Sequence, residues 1–158
     1  MTIMQMTPAT ENHDAQETHR AALITIRVQR FNPQERLRLE ALRALVIGFL
    51  MKTLMRLGMG ILIVGGARTG KSYLLNCTFP GKVFDSRSAG IKDLLATAPD
   101  GMFAVDETSY LDVNDLRTNF DALRSRKIAY SIQRVEEAER LGLDALLHGR
   151  RTVIIMLV

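Results

Sequence analysis

The chain has 158 residues, of which 47% are hydrophobic and 24% charged, with 21 Lys and Arg against 17 Asp and Glu for a formal charge of +4. That length fits one domain, those proportions exclude a disordered or fibrous chain, and one cysteine, Cys77, excludes an internal disulfide framework and a cysteine-rich zinc site. The basic surplus is local: residues 21–60 hold seven basic and two acidic side chains, whereas residues 61–158 hold thirteen and twelve.

Residues 1–20 are polar and aperiodic and predict a disordered tail. They carry neither the positive n-region nor the apolar h-region of a secretory signal, so a cytoplasmic location is expected. Ile24, Ile26 and Val28 alternate with Thr25, Arg27 and Gln29, the period of a half-exposed strand. Asn32-Pro33-Gln34-Glu35 predicts a helix start, with Asn32 as cap, Pro33 in the first turn and Glu35 completing a capping box. The helix should run to Leu57 and stop at Gly58. Its second half is apolar on nearly every side, which predicts burial against the main sheet, with self-association or a membrane surface as alternatives. The run Leu45 to Met51, bracketed by Arg43, Lys52 and Arg56, is too short to span a membrane.

From residue 61 strands and helices alternate. Strands are expected at Ile61–Gly65, Lys82–Ser86, Met102–Asp106, Ile128–Gln133 and Thr152–Val158. Helices are expected at Gly70–Cys77, Ile91–Ala98, Asn114–Arg126 and Val135–Leu147, with Pro99-Asp100-Gly101 and His148-Gly149 as stops. This predicts an α/β fold: a three-layer domain over residues 61–158 with a five-stranded, mostly parallel sheet. A basic strand and long helix at 21–60 would precede it, packed on the core or extending it.

Gly65-Gly66-Ala67-Arg68-Thr69-Gly70-Lys71-Ser72 matches G-x-x-x-x-G-K-[ST], between an apolar strand and a helix. The glycines let the loop curl so that backbone N–H groups converge on phosphate oxygens. The helix N-terminus, with Tyr73 in its first turn, adds donors and the positive end of its dipole. Lys71 supplies a point charge for the β- and γ-phosphates, and the Ser72 hydroxyl is a Mg²⁺ ligand. Met102-Phe103-Ala104-Val105-Asp106-Glu107 is an apolar strand with two acids at its C-terminal end, where open α/β sheets bind ligands. Asp106 is expected to hold Mg²⁺ through water and Glu107 to polarise an attacking water.

This pairing resembles the additional-strand catalytic-glutamate division of P-loop NTPases, which includes AAA+ proteins, RecA-like ATPases and the FtsK/HerA translocases. The resemblance covers residues 61–158. It implies a strand inserted between the strand before the glycine loop and the strand bearing Asp106, with a polar sensor at its tip. Gln133, ending Ile128-Ala129-Tyr130-Ser131-Ile132-Gln133, falls there and is similar to the glutamine of FtsK/HerA and conjugative coupling ATPases. Its alternative is a plain strand-end amide. The chain departs from AAA+ proteins in having no room before Val158 for a helical lid, and from large translocases in having no DNA-gripping insert.

The implied activity is a Mg²⁺-dependent ATPase working as a homo-oligomer on a DNA or protein partner, with Lys71, Glu107 and Gln133 catalytic, residues 65–73 holding ATP, and Ser72 and Asp106 holding the metal. The alternatives are a nucleotide-dependent switch that barely hydrolyses and a small P-loop kinase, for which Asp85-Ser86-Arg87-Ser88 is the favourable feature. Arg124, Arg126, Arg134, Arg150 and Arg151 are candidate trans fingers, each more simply a solvated surface residue. No Asn-Lys-x-Asp element follows residue 107, which favours ATP over GTP.

Overall fold

The computed structural model describes residues 23–31, 37–97, 101–147 and 151–158. The tail at 1–20, the helix start Asn32–Glu35, the stops Pro99-Asp100 and His148-Gly149, and Arg150 lie outside these residues. Strands β1 (Leu23–Val28), β2 (Gly60–Val64), β3 (Val83–Asp85), β4 (Met102–Asp106), β5 (Lys127–Ile132) and β6 (Thr152–Leu157) form one sheet in the order β1-β6-β2-β5-β4-β3. Every neighbouring pair is parallel. The register sets Ile26 opposite Ile155, Ile155 opposite Ile63, and Ile63 opposite Ser131.

The sheet has six strands rather than the expected five. The strand at residues 23–28 is an integral edge, paired with β6 along its whole length. Burial explains this: β6 is apolar on both faces, and without β1 its outer edge would be unpaired.

Alternation along the strands feeds two cores, one on each face of the sheet. On one face Ile26, Ile61, Ile63, Val153 and Ile155 meet Ala44, Met51 and Met55 of α1 (Leu37–Arg56) and Leu74, Leu75 and Phe79 in and just after α2 (Lys71–Thr78). On the other, Leu62, Val64, Phe103, Val105, Tyr130 and Ile132 meet α3 (Ile91–Thr97), α4 (Val113–Thr118), α5 (Phe120–Arg124), α6 (Glu136–Leu141) and α7 (Leu143–Leu147). Met51 and Met55 are core filler, and half-buried Cys77 packs as a small apolar group.

Three helices differ from expectation. Asn114–Arg126 is two helices because the chain turns out of helical geometry at Asn119, and Val135–Leu147 is two because Gly142 adopts a left-handed φ of 71°. The long helix is buried on one side only. Ala44, Gly48, Met51 and Met55 face the protein, while Leu42, Leu45, Val46 and Phe49 are exposed. Gly48 marks the crossing of α1 and α2: a Cβ there would lie 2.5 Å from Thr78 Oγ1.

Candidate functional site

The C-terminal ends of β2, β4 and β5 lie side by side, and the loops leaving them gather the expected residues in one place. Among the described residues, β5 lies between β2 and β4, the position the sequence resemblance implies for an inserted strand.

The loop 65–70 leaves β2 and turns into α2. Gly65 is needed because a Cβ there would meet Thr69 Oγ1 at 2.6 Å and Leu157 at 3.1 Å. Arg68 and Gly70 have left-handed φ values of 62° and 89°. Gly70 also lies against Phe31, 2.6 Å from the place of its would-be Cβ to Phe31 Cβ. The loop is braced by hydrogen bonds from Thr69 Oγ1 to Gly66 O at 2.9 Å and from the Phe31 N–H to Thr69 O at 3.0 Å. No side chain caps α2, and the space over Gly66 is open. Ala67, Arg68 and Ser72 are exposed, while Tyr73 is half-buried. Desolvation, then Cys77 and Glu40, push the Tyr73 hydroxyl pKa up.

Lys71 begins α2 with only 4% of its surface exposed. Its Nζ turns back into the loop and donates to Gly65 O at 2.7 Å and Gly66 O at 3.1 Å. It also stands 3.9 Å from Glu107 Oε1. Lys71 and Glu107 are thus brought together from different strand ends.

Asp106 ends β4 and is 4% exposed. Its Oδ1 accepts the Ser131 hydroxyl at 2.6 Å and the Glu107 N–H at 3.0 Å. That N–H also reaches Ser131 Oγ at 3.0 Å. Glu107 itself is left-handed, with φ 52° and ψ 47°, a costly conformation for a non-glycine residue that these bonds hold in place. The turn aims its carboxylate away from the strand axis, toward Lys71 on one side and Gln133 on the other. Gln133 Nε2 donates to Glu107 Oε2 at 3.3 Å, so the expected sensor touches the expected water-polarising acid.

Sequence reasoning missed three supporting residues, Ser131, Ser109 and Glu137, and read a fourth, Ser86, only as part of Asp85-Ser86-Arg87-Ser88. Ser131 is the fully buried pivot of Asp106 and Glu107. Its signal was a single small polar residue in a mostly apolar strand, Ile128-Ala129-Tyr130-Ser131-Ile132. Ser86, just past β3, hydrogen-bonds Asp106 O at 2.9 Å and also Glu107 O. Ser109, in the 3-10 turn Thr108–Tyr110, donates to Glu137, which also accepts the Gln133 N–H at 3.2 Å. Burial alone would raise the Glu137 carboxyl. The Ser109 and Gln133 hydrogen bonds and the Arg140 charge outweigh it and hold that carboxyl below the usual glutamate range.

Arg87 lies at the rim. It forks onto Asp85 through 3.0 and 2.8 Å contacts, which lower the Asp85 carboxyl and raise the guanidinium. Arg87 is also within electrostatic reach of Glu107 and Asp106. Of the candidate fingers, Arg124 packs over Phe120 at 6.0 Å, Arg126 is half-buried, and Arg134 and Arg151 are exposed.

Among the described residues no three His, Cys, Asp or Glu cluster as a metal cage. Mg²⁺ does not require one, because it is commonly held by one or two protein oxygens together with substrate phosphates and water. The residues fit that mode: a buried carboxylate at Asp106, an exposed hydroxyl at Ser72, an uncapped helix start and an ammonium turned onto loop carbonyls. No protein-family model matches the chain, and no curated protein or solved structure matches it.

Proposed function

We propose that this chain is a Mg²⁺-dependent P-loop ATPase that couples ATP binding and hydrolysis to a DNA or protein partner as a homo-oligomer. The observation that carries the reading is the convergence of Lys71, Glu107 and Gln133. They come from three separate segments, and contacts of 3.9 and 3.3 Å link them at one end of the sheet. The place of β5 beside β2 and β4 supports the same division of P-loop proteins.

On this reading residues 65–73 wrap the phosphates, with loop N–H groups and the start of α2 as donors. Lys71 exchanges its bonds to Gly65 O and Gly66 O for phosphate oxygens. Ser72 and Asp106 would hold Mg²⁺, which would neutralise phosphate charge. Glu107 accepts the proton of the attacking water and aligns it. Gln133, already on the Glu107 carboxylate, is placed to respond when the γ-phosphate leaves. Exposed Arg27, Arg30, Arg38 and Arg56 support an anionic partner for the 21–60 segment.

The test is phosphate release from Mg-ATP with and without DNA, beside nucleotide affinity. Lys71→Ala should abolish tight ATP binding, and Glu107→Gln should keep binding while losing turnover by about 10²-fold or more. Unchanged ATP affinity in Lys71→Ala refutes the site. One observation favours a second reading, a small kinase: Arg87 and Ser86 flank the acid pair where a phosphoryl acceptor would sit. In that case Mg-ATP turnover with water is negligible and an added hydroxyl acceptor restores it. Tight binding with no turnover under either condition identifies a switch.

A further inference from the structure

The outer face of α1 serves no core. Leu39, Leu42, Leu45, Val46, Phe49 and Leu50 are exposed on it, Phe49 by 70%. At roughly 100 Å² each, they make an apolar surface on the order of 600 Å², at the upper end of what a monomer shows. No charged side chain interrupts it over three turns. Among the described residues the exposed charges that frame it are basic, Arg38 at one end and Arg56 at the other, while half-buried Lys52 lies over the Phe79 ring at 5.8 Å. The one acid of the helix, Glu40, is turned away to Arg43 at 2.6 Å.

Three occupants compete. Leu39, Leu42, Val46 and Phe49 follow the seam spacing of a coiled coil, so a second copy fits by shape. Charge opposes it. Antiparallel pairing centred on Leu45 sets Arg38 beside Lys52, basic on basic, and parallel pairing sets Arg38 beside Arg43, whose charge Glu40 already meets, so neither gives Arg38 an acidic partner. DNA suits the flanking charges but not the strip, which offers no donor to phosphate or base edge. A lipid surface with anionic headgroups matches both, because it takes hydrocarbon without a shaped pocket and gains from flanking Lys and Arg.

We propose that α1 is a peripheral membrane-docking surface. Its outer face lies in the interface of an anionic bilayer, with Leu42, Leu45, Val46 and Phe49 buried among acyl chains and Arg38 and Arg56 at the headgroups. This is attachment in the plane of the membrane, consistent with the lack of any described helix long and apolar enough to cross one. It is independent of the nucleotide reading.

The test is vesicle flotation of the full chain without nucleotide. The vesicles are phosphatidylcholine alone, or phosphatidylcholine with about one-quarter phosphatidylglycerol. Binding to the anionic vesicles should exceed that to neutral ones by about tenfold or more and fall as salt rises. The double variant Leu42→Asp/Phe49→Asp should lose at least about tenfold, with an unchanged thermal melt because both positions are already exposed. Arg38→Glu/Arg56→Glu should remove the preference for anionic lipid while leaving the melt unchanged. Lys71→Ala should float as the wild type does, which separates this result from any failure of the nucleotide site. Flotation unaffected by the Asp substitutions overturns the proposal. So does an absence of flotation, and a concentration-dependent dimer that the same substitutions abolish then assigns the face to a second copy.

Discussion

Ser131→Ala is the most direct probe of the acid pair. The hydroxyl is fully buried, donates to Asp106 Oδ1 at 2.6 Å and accepts the Glu107 N–H at 3.0 Å. The N–H keeps a second acceptor, Asp106 Oδ1 at 3.0 Å, so alanine does not orphan it. The carboxylate oxygen loses its shortest donor, and a hydrogen bond to a charged group contributes about 1.5–3 kcal/mol. We expect a loss of about 2 kcal/mol, which for a chain of this size is a fall in Tm of about 4–8 °C and in urea midpoint of about 1 M. Ser131→Cys, a near-isostere with a weak donor, should fall between wild type and alanine. A double-mutant cycle with Asp106→Asn should return a coupling of about 1 kcal/mol or more. Additivity of the two substitutions, or an alanine midpoint within about 0.2 M of wild type, would falsify the bond as an energetic element. If the chain is an ATPase, the same variant should also need more Mg²⁺ for half-maximal turnover, since Ser131 fixes the orientation of Asp106.

Gly48→Ala should destabilise, because overpacking against Thr78 Oγ1 at 2.5 Å costs about 1–3 kcal/mol while the gain in helix propensity is about 1 kcal/mol. Adding Thr78→Ala should recover most of the loss in a thermal melt, and no recovery would mean that the crossing of α1 and α2 is not what Gly48 serves. Ser109→Ala removes a hydrogen bond that holds the Glu137 carboxyl low. A depressed folded pKa gives stability that is present above the unfolded value and lost as pH falls through the folded one. The deficit of this variant should therefore be full at pH 7 and shrink below about pH 4, read from urea midpoints at each pH. Phe31→Ala should cost about 3–5 kcal/mol as a buried aromatic and, if the loop binds phosphate, weaken nucleotide affinity as well. Equal affinity in a still-folded variant would show that the ring does not brace the loop.

The strands from residue 61 onward, apart from the mixed Val83–Asp85, were legible because each is a short, mostly apolar run between turn residues. The candidate site was legible because the glycine loop and the Asp106-Glu107 pair are contiguous motifs. The role of residues 23–28 was not, since a strand's neighbours are set by pairing across the sheet and nothing local in Ile24, Ile26 and Val28 names β6. The exposed side of α1 was hidden for a related reason: a helix apolar all round does not say which half the protein covers. Ser131 was hidden because one serine carries no sequence pattern, and Ser86 stood out only as a kinase feature, not as a partner of the acid pair. Their importance comes from lying next to Asp106 and Glu107 in space, across separations of 25 and 21 residues.

The 21–60 segment is more closely joined to the glycine loop than sequence order suggests. The Arg30 N–H donates to Val158 O at 2.7 Å and the Phe31 N–H to Thr69 O at 3.0 Å, so the chain leaving β1 touches both β6 and the loop. Phe31 packs against Gly70 and lies 5.8 Å from the Tyr73 ring. Arg43 of α1 then covers Phe31 at 5.2 Å and donates to Gln29 O at 2.9 Å. One helix thus presents an apolar face outward and, from its other side, presses an aromatic ring onto the loop that ends at Lys71. Arg43 and Phe31 join α1 to the loop, beside the direct packing of α1 on α2 at Gly48 and Thr78. A bound state that shifts α1 by even a fraction of an ångström must move Phe31 or strain the contact at Gly70, because closely packed interiors transmit displacement rather than absorb it.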